Sequence, residues 1–178
     1  MAPEQLISVD LKGDGENLKH KVDELIREFG REDITIWGSA KPRHHKLIAR
    51  VNPRIPTFYS GLQVFLVYML YFLGLLPFYP LPSDAFMVPL LTRSKVNLMG
   101  RLVSRRGCLA RVLFVMVATL LRNSRALYQH LRRRGVLVVV WVLNEEEEFR
   151  EAWDLFGEEI DGVMTDCPTK LANFINNY

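Results

Sequence analysis

Cysteine is scarce in this sequence, which contains only Cys108 and Cys167, far apart along 178 residues. Two distant cysteines argue against a disulfide scaffold and favour a reducing, cytosol-facing environment. The first fifteen residues lack the basic region and the apolar run of a secretory signal, so we expect none. The sequence has no glycine-rich phosphate loop, no Gly-x-Ser-x-Gly turn and no Cys/His pair typical of nucleophilic catalysis, which argues against those classes of enzyme.

Acidic residues are absent between Asp84 and Glu145, although the same stretch holds eleven of the 23 basic residues. Such a one-sided block favours an anionic surface as partner, and a solvated face of basic helices is the plainer alternative. We expect no nucleic acid, because the neighbouring apolar and aromatic stretch suits lipid better than bases.

Charge is absent from residues 55–83, which hold half of all the Phe and Tyr residues. Prolines confine a helix to about residues 61–76, and at about 1.5 Å per residue its length of about 24 Å is short of the ~30 Å hydrocarbon core. We therefore predict that an apolar insertion at residues 58–83 associates with a membrane from one side. A spanning helix and a buried core hairpin are the alternatives. The expected membrane contacts are Phe65, Tyr68, Phe72 and Phe78.

Short apolar runs alternate with amphipathic stretches along the rest of the chain, which predicts an α/β fold with a parallel sheet. Strands are predicted at residues 6–11, 33–38, 55–59, 136–143 and 162–164. Helices are predicted at residues 17–29, 42–51, 124–134, 145–156 and 169–176. His44 and His45 fall within a basic helix, and no Cys or carboxylate lies at metal-ligand spacing, so a solvated face is favoured over a zinc site.

Polar residues follow the last two predicted strands. Trp141 and Asn144 close the first in a Trp-x-x-Asn run that leads into four glutamates, and a Thr-Asp-x-Pro turn at residues 165–168 follows the second. The carboxyl ends of parallel strands are where such folds bind ligands. The two motifs together resemble the last two βα units of the glycerophosphodiester phosphodiesterase family, whose fold is a (β/α)8 barrel.

The resemblance implies a partial TIM-type (β/α)8 barrel, with residues 1–178 forming a single incomplete domain. Family members carry a His-Arg-Gly strand, a Glu-x-Asp pair and a His-Asp motif near the N-terminus, and none is present here. A complete barrel takes about 250 residues. We therefore expect an N-terminally truncated form that lacks about the first two βα units, with an open edge at which another chain could pair.

The segment around Asp10 and Lys12 is similar to the family's third barrel strand. The resemblance implies that Asp10 binds a divalent metal, Mg²⁺ or Ca²⁺, and that Lys12 lies near the substrate phosphate. It also implies that Trp37 lines the pocket mouth and that Trp141, followed by Asn144, walls the pocket beside the glycerol or lipid. An ordinary ion pair between Asp10 and Lys12 and a packing role for Trp37 are the alternatives. We expect the polar ends of these strands to converge on one cavity.

Asp166 is more readily explained as a cap of the following helix than as a metal ligand. The four glutamates from Glu145 onward suit the positive end of a helix and need no catalytic role.

The apolar segment resembles that of membrane-associated members with lysophospholipase D activity. This implies metal-dependent phosphodiester hydrolysis of glycerophosphodiesters or lysophospholipids, with lysophosphatidic acid as the product from a lysophospholipid, at a cytosol-facing membrane of the endoplasmic reticulum or perinuclear region. We expect this activity to be impaired in the present chain. A non-catalytic membrane-binding fragment or pseudoenzyme is the alternative.

Overall fold

A computed structural model describes residues 6–13, 15–104 and 107–177 of the chain. The chain separates into two compact units, Met1–Phe86 and Met87–Tyr178. The single incomplete domain expected from the resemblance stays a prediction.

The first unit begins with two βα units. Strand β1 (Ile7–Asp10) precedes helix α1 (Glu16–Glu28), and strand β2 (Thr35–Gly38) precedes helix α2 (Pro42–Val51). The two strands are parallel, with Ile7 opposite Thr35 and Asp10 opposite Gly38. All four elements agree with the predicted ones to within about two residues at each boundary.

The third predicted strand, at residues 55–59, forms single parallel bridges instead of a continuous ladder. Thr57 bridges Trp37 on one side, and Phe58 bridges Ala85 on the other. The Ala85 N–H donates to the carbonyl of Thr57 at 3.1 Å. The predicted strand is therefore present only as two isolated bridges, one to β2 and one to Ala85.

A hydrophobic core fills one face of the β1–β2 pair. Val9 packs against a buried cluster of residues from both strands, both helices and the segment after α2, namely Leu11, Ile26, Trp37, Ile48 and Ile55. Because side chains alternate along a strand, Ser8 and Asp10 lie on the opposite, exposed face. This alternation decides which side chains can meet a ligand.

Helix α3 (Gly61–Phe72) is the apolar helix of the first unit. Ser60 and Gln63 form a capping box at its start. The helix ends four residues earlier than predicted, because Gly74 adopts a positive φ of 69°. The Gly74 and Leu75 N–H groups then donate to the carbonyls of Tyr71 and Leu70, which is a Schellman motif. Within the described part of the chain, no helix combines the length and the apolarity needed to cross a membrane.

Strand β3 (Ala85–Pro89) crosses the boundary between the units, and the second unit continues with the remaining elements. These are helices α4 (Arg93–Ser104), α5 (Cys108–Arg122) and α6 (Arg125–Arg133), strand β4 (Leu137–Trp141), helix α7 (Glu146–Phe156), strand β5 (Gly162–Val163) and helix α8 (Pro168–Asn177). The sheet order is β3–β4–β5, and β4 and β5 are parallel. Strand β3 and helix α4 were not predicted from the sequence, whereas the elements from α6 onward were.

The core of the second unit lies on one face of β4. Val138 and Val140 are fully buried, whereas Leu137 and Trp141 are 39% and 38% exposed. The rings of Tyr128 on α6 and Phe156 on α7 pack with their centroids 4.9 Å apart. The exposed side of Trp141 is therefore a consequence of strand alternation.

Candidate active site

An ion pair occupies the carboxyl end of β1. Lys12 Nζ lies 3.6 Å from Asp10 Oδ2, and the two side chains are 85% and 41% exposed. Alternation places both on the face opposite to Val9 and Leu11, which pack toward the helices. The structure thus brings the two predicted residues together at an accessible strand end. The ion pair predicted as the alternative is present, and the metal and phosphate roles stay predictions.

Trp37 has no exposed surface and belongs to the core of the first unit. It pairs with Val9 across the two strands, so its indole lies on the same face as Val9, toward the helices. This location argues against the predicted contact with substrate at the pocket mouth and agrees with the alternative of a packing tryptophan.

The carboxylate of Glu148 on α7 lies in a network of hydrogen bonds in the second unit. Its side chain is only 8% exposed, and Lys95 Nζ lies 2.9 Å from Oε1. The Thr92 hydroxyl donates to the same oxygen at 3.0 Å, and the Asn144 N–H donates to Oε2 at 2.8 Å. Lys95 also donates to the carbonyl of Val142. Glu148 therefore ties the segment after β3 to the turn after β4.

The charge of Glu148 is stabilised by these contacts. Burial by itself raises the pKa of the carboxyl group, but hydrogen bonds from Lys95, the Asn144 N–H and Thr92 together outweigh burial and lower the pKa. The carboxylate also forms the capping box of α7 with Glu145, as expected for an acidic residue at a helix start.

Asn144 links the turn after β4 to the turn after β5. Its side-chain oxygen accepts bonds from the Thr165 hydroxyl at 3.1 Å and from the Asp166 N–H at 2.8 Å. Its amide donates to Asp166 Oδ2 at 3.0 Å. The Asp166 carboxylate accepts this bond, and its predicted role as a cap of α8, which begins at Pro168, stays a prediction. Asn144 and Asp166 are brought together at neighbouring strand ends.

Trp141 ends β4, and its side chain is 38% exposed. It follows the buried Val140 and precedes the turn that Glu148 and Lys95 hold. An accessible aromatic side chain at a strand end agrees with the predicted wall of a substrate pocket, and that role stays a prediction. Asp10 and Lys12 belong to the first unit and Trp141 and Asn144 to the second, and their convergence on one cavity also stays a prediction.

The histidine pair on α2 differs from expectation. His44 and His45 are 8% and 5% exposed, so the predicted solvated face is wrong for both. The packed face of α2 carries them together with Ile48, because residues three and four apart share one side of a helix. His45 Nε2 lies 3.3 Å from the Ser83 hydroxyl, and burial lowers the pKa of His45.

A metal ion would need more ligands than the described residues bring together. Among residues 6–13, 15–104 and 107–177, no three His, Cys, Asp or Glu side chains form a group that could hold one. The ammonium group of Lys12 already lies beside the Asp10 carboxylate. These residues do not fit a complete metal site.

The four predicted membrane contacts divide into two groups. Phe65, Phe72 and Phe78 are 61%, 58% and 85% exposed, so they are accessible to a surface. Tyr68 is 6% exposed, and its ring centroid lies 5.9 Å from that of Phe86. Tyr68 is therefore a core residue, and its predicted membrane contact needs correction.

Sequence reasoning missed Thr92, Lys95 and the structural role of Glu148. The visible signal was the spacing of Glu145 and Glu148, three residues apart at a helix start, which is a capping pattern. Thr92 and Lys95 follow a strand that was itself not predicted, so their meeting with Glu148 gave no local signal.

Comparison with solved structures defines the class of fold. The glycerophosphodiester phosphodiesterase from Agrobacterium tumefaciens superposes with a TM-score of 0.52 over 97% of this chain and 56% of its own, at 11% sequence identity. At that identity the likeness speaks for the fold alone. The chain has an α/β fold that aligns with about half of a phosphodiesterase of this class.

The sequence relatives define the family. Lysophospholipase D GDPD1 from Homo sapiens is 36% identical over 180 residues, which cover 99% of this chain and 54% of the relative. Lysophospholipase D GDPD3 from Homo sapiens is 36% identical over 177 residues, covering 99% and 53%. No family-wide sequence model matches. The chain belongs to the glycerophosphodiester phosphodiesterase family and spans about half the length of these relatives.

Proposed function

We propose that the chain takes part in lysophospholipase D-type hydrolysis of a phosphodiester bond. The substrate is a glycerophosphodiester or a lysophospholipid, and a lysophospholipid gives lysophosphatidic acid. The observation that carries the proposal is the 36% identity, over 99% of the chain, to a relative named lysophospholipase D. The accessible Asp10 and Lys12 at a strand end support it, because charged groups at such ends are available to a ligand.

Lys12 is the proposed contact of the substrate phosphate. Its ammonium group is compact, positively charged and 85% exposed, so it can approach a phosphate oxygen without moving a packed side chain. Asp10 would hold that ammonium in place in the free protein. Trp141 would cover the glycerol or lipid moiety with its exposed indole, and the Asn144 amide would fix the turn beside it.

Asp10 is also the residue that the family resemblance links to a divalent metal. The described residues do not fit a complete metal site, so no step of the proposal passes through a metal. The dependence of any activity on Mg²⁺ or Ca²⁺ is instead a question for the assay below.

The segment at residues 58–83 is proposed to associate with the surface of a cytosol-facing membrane. Helix α3 is uncharged, and Phe65, Phe72 and Phe78 expose more than half of their side-chain surface. Side chains of this kind enter the boundary between head groups and acyl chains. Such an association would bring a lysophospholipid substrate to the protein.

A second candidate is a non-catalytic membrane-binding protein. The ion pair with Lys12 favours it, because the Asp10 carboxylate is already partnered by a cation in the free protein. In this case the exposed side chains of α3 would carry the function by themselves.

Choline release from lysophosphatidylcholine, with Mg²⁺ or Ca²⁺ present, separates the two candidates. Hydrolysis predicts slow release that Asp10→Ala abolishes, while Asp33→Ala, at an exposed aspartate of the same unit, leaves it unchanged. Release that survives Asp10→Ala would contradict the proposed role of Asp10. Absence of release from the parent chain, together with vesicle binding that Phe65→Gln weakens, would favour the non-catalytic candidate.

A further inference from the structure

Helices α4 and α5 pack against each other in the second unit, and together they are called the basic hairpin below. Its surface is unusually apolar. Five large side chains expose more than half of their surface, namely Leu98, Leu102, Leu109, Leu113 and Met116. Large apolar side chains exposed in this number on two packed helices indicate an interaction surface.

The apolar residues surround most of α5. Leu113, Met116 and Val117 are 52%, 61% and 50% exposed, whereas Ala118 and Leu121 are the buried residues of the helix. A helix that packed only on its own unit would show a polar face toward water. At about 1.5 Å per residue, its 15 residues also fall short of the ~30 Å hydrocarbon core. The helix is therefore suited to lying in a surface and not to crossing a bilayer.

The charges of the basic hairpin have one sign. Arg101 on α4 and Arg111 on α5 are exposed, and neither helix contains an acidic residue. Arg122, at the end of α5, is by contrast already paired with Glu151. Two exposed arginines set among apolar side chains match a surface that is both apolar and negatively charged.

We propose that the basic hairpin docks on an anionic membrane surface. Its apolar side chains would enter the boundary between head groups and acyl chains, and Arg101 and Arg111 would contact lipid phosphates. Lipid is favoured over nucleic acid because the exposed residues beside the arginines are aliphatic and offer no rings on which bases could stack.

This surface consists of different residues from the one assigned to α3. Helix α3 carries no charge, so its binding should not distinguish anionic from neutral lipid. The basic hairpin should prefer anionic lipid and should lose that preference in high salt. The inference does not depend on the proposed hydrolysis, because binding can be measured without turnover.

Vesicle flotation of the full chain tests the charge requirement. The parent chain is expected to float with phosphatidylcholine vesicles that contain about a third phosphatidylserine, and Arg101→Gln with Arg111→Gln should weaken that partition roughly thirtyfold. The matched control is Arg43→Gln with Arg50→Gln, which removes the same charge from exposed positions on α2. This control should reduce binding far less.

A second pair of variants tests the apolar requirement. Leu113→Gln should weaken partition into the anionic vesicles, while Leu25→Gln on α1 should not, although both leucines are 52% exposed in the parent. Circular dichroism of each variant checks that its helices are intact, so a loss of binding can be assigned to the surface.

Several outcomes would overturn the proposal. One is a parent chain that stays at the bottom of the gradient with anionic vesicles. Another is an equal loss in the two arginine pairs, which would indicate a general effect of net charge. Sedimentation that shows a dimer dispersed by Leu113→Gln would identify a second copy as the occupant. The chain could instead bind a single-stranded oligonucleotide and not vesicles. If that binding depended on Arg101 and Arg111, the surface would be one for nucleic acid. Equal binding to neutral and anionic vesicles that survives all four variants would assign the binding to α3 and overturn the role of the basic hairpin.

Discussion

The strand ends of the two units use charged residues in different ways. Asp10 and Lys12 form one exposed contact of 3.6 Å in the first unit, and each keeps most of its hydrogen-bonding capacity. Glu148 in the second unit is buried, and it accepts bonds from two side chains and from the Asn144 N–H in the turn between β4 and α7. A group whose bonds are satisfied internally fixes structure, whereas an exposed pair can exchange its partner for a ligand. The comparison distinguishes residues that stabilise the fold from residues that are available to bind a ligand.

Removing the Glu148 carboxylate should have the largest effect on stability. Glu148→Ala leaves the Lys95 ammonium and the Asn144 N–H without their acceptor, and we expect the free energy of unfolding to fall by about 2 to 4 kcal/mol. Urea denaturation measures the change. Glu146→Ala on the same helix is the control, because that side chain is 67% exposed and its pairing with Arg150 contributes little. Equal losses in both variants would show that Glu148 has no special structural role.

Asn144 tests the link between the turns after β4 and β5. Asn144→Ala removes the bonds to Thr165 and Asp166, and a loss of about 1 to 2 kcal/mol is expected because part of this network remains open to water. Asn173→Ala, at an exposed asparagine on α8, should change the urea midpoint very little. An unchanged midpoint in Asn144→Ala would mean that the two turns are held by other contacts.

Acid titration should distinguish a contribution to stability from His45 in the first unit and one from Glu148 in the second. Burial lowers the pKa of His45 from its ordinary value of 6.5, so the unfolded chain takes up the proton first and this contribution to stability declines as the pH falls below 6.5. The lowered pKa of Glu148 gives a contribution that is present above the ordinary value of 4.5 and is lost as the pH falls through the folded-state pKa.

The urea midpoint followed against pH therefore has two separable components. His45→Gln should remove part of the slope just below pH 6.5, and Glu148→Gln should remove part of the slope below pH 4.5. Each variant should leave the other component in place. A single variant that removed both slopes would argue against their separate origins.

The exposed pair should have the smallest effect on stability. Asp10→Asn removes one charge from a solvent-exposed contact, so the free energy of unfolding should change by less than about 0.5 kcal/mol. Lys12→Met should behave in the same way. A loss as large as that of Glu148→Ala would place Asp10 among the structural residues and would weaken the contrast between the units.

Local pattern was sufficient to predict most of the fold. Two-residue alternation identified β1 and β2, and the apolar run before Asn144 identified β4, because these signals are contained within a few residues. Helix α3 ends earlier than the prolines predicted, because Gly74 adopts the positive φ that ends a helix before the first proline is reached. Strand β3 was missed because its five residues end in a proline and lie in an apolar stretch without clear periodicity.

The candidate site was predictable only where strand alternation determined it. Asp10 and Lys12 were placed correctly on one face, and the same rule applied across β1 and β2 would have placed Trp37 with Val9 in the core. The contacts of Glu148 with Thr92 and Lys95 join residues more than fifty positions apart, so no local sequence pattern predicts them. The buried His44 and His45 were obscured by their basic neighbours.

The most direct test of the proposed site compares two accessible tryptophans of the second unit. Trp141 ends β4 and is 38% exposed, while Trp153 on α7 is 46% exposed. Titration with glycerophosphocholine, a soluble glycerophosphodiester, can be followed by NMR through the indole N–H signals. The account predicts a saturable shift for Trp141 and none for Trp153. Two unmoved signals, or equal shifts of both, would contradict the claim that the strand end carrying Trp141 meets the substrate.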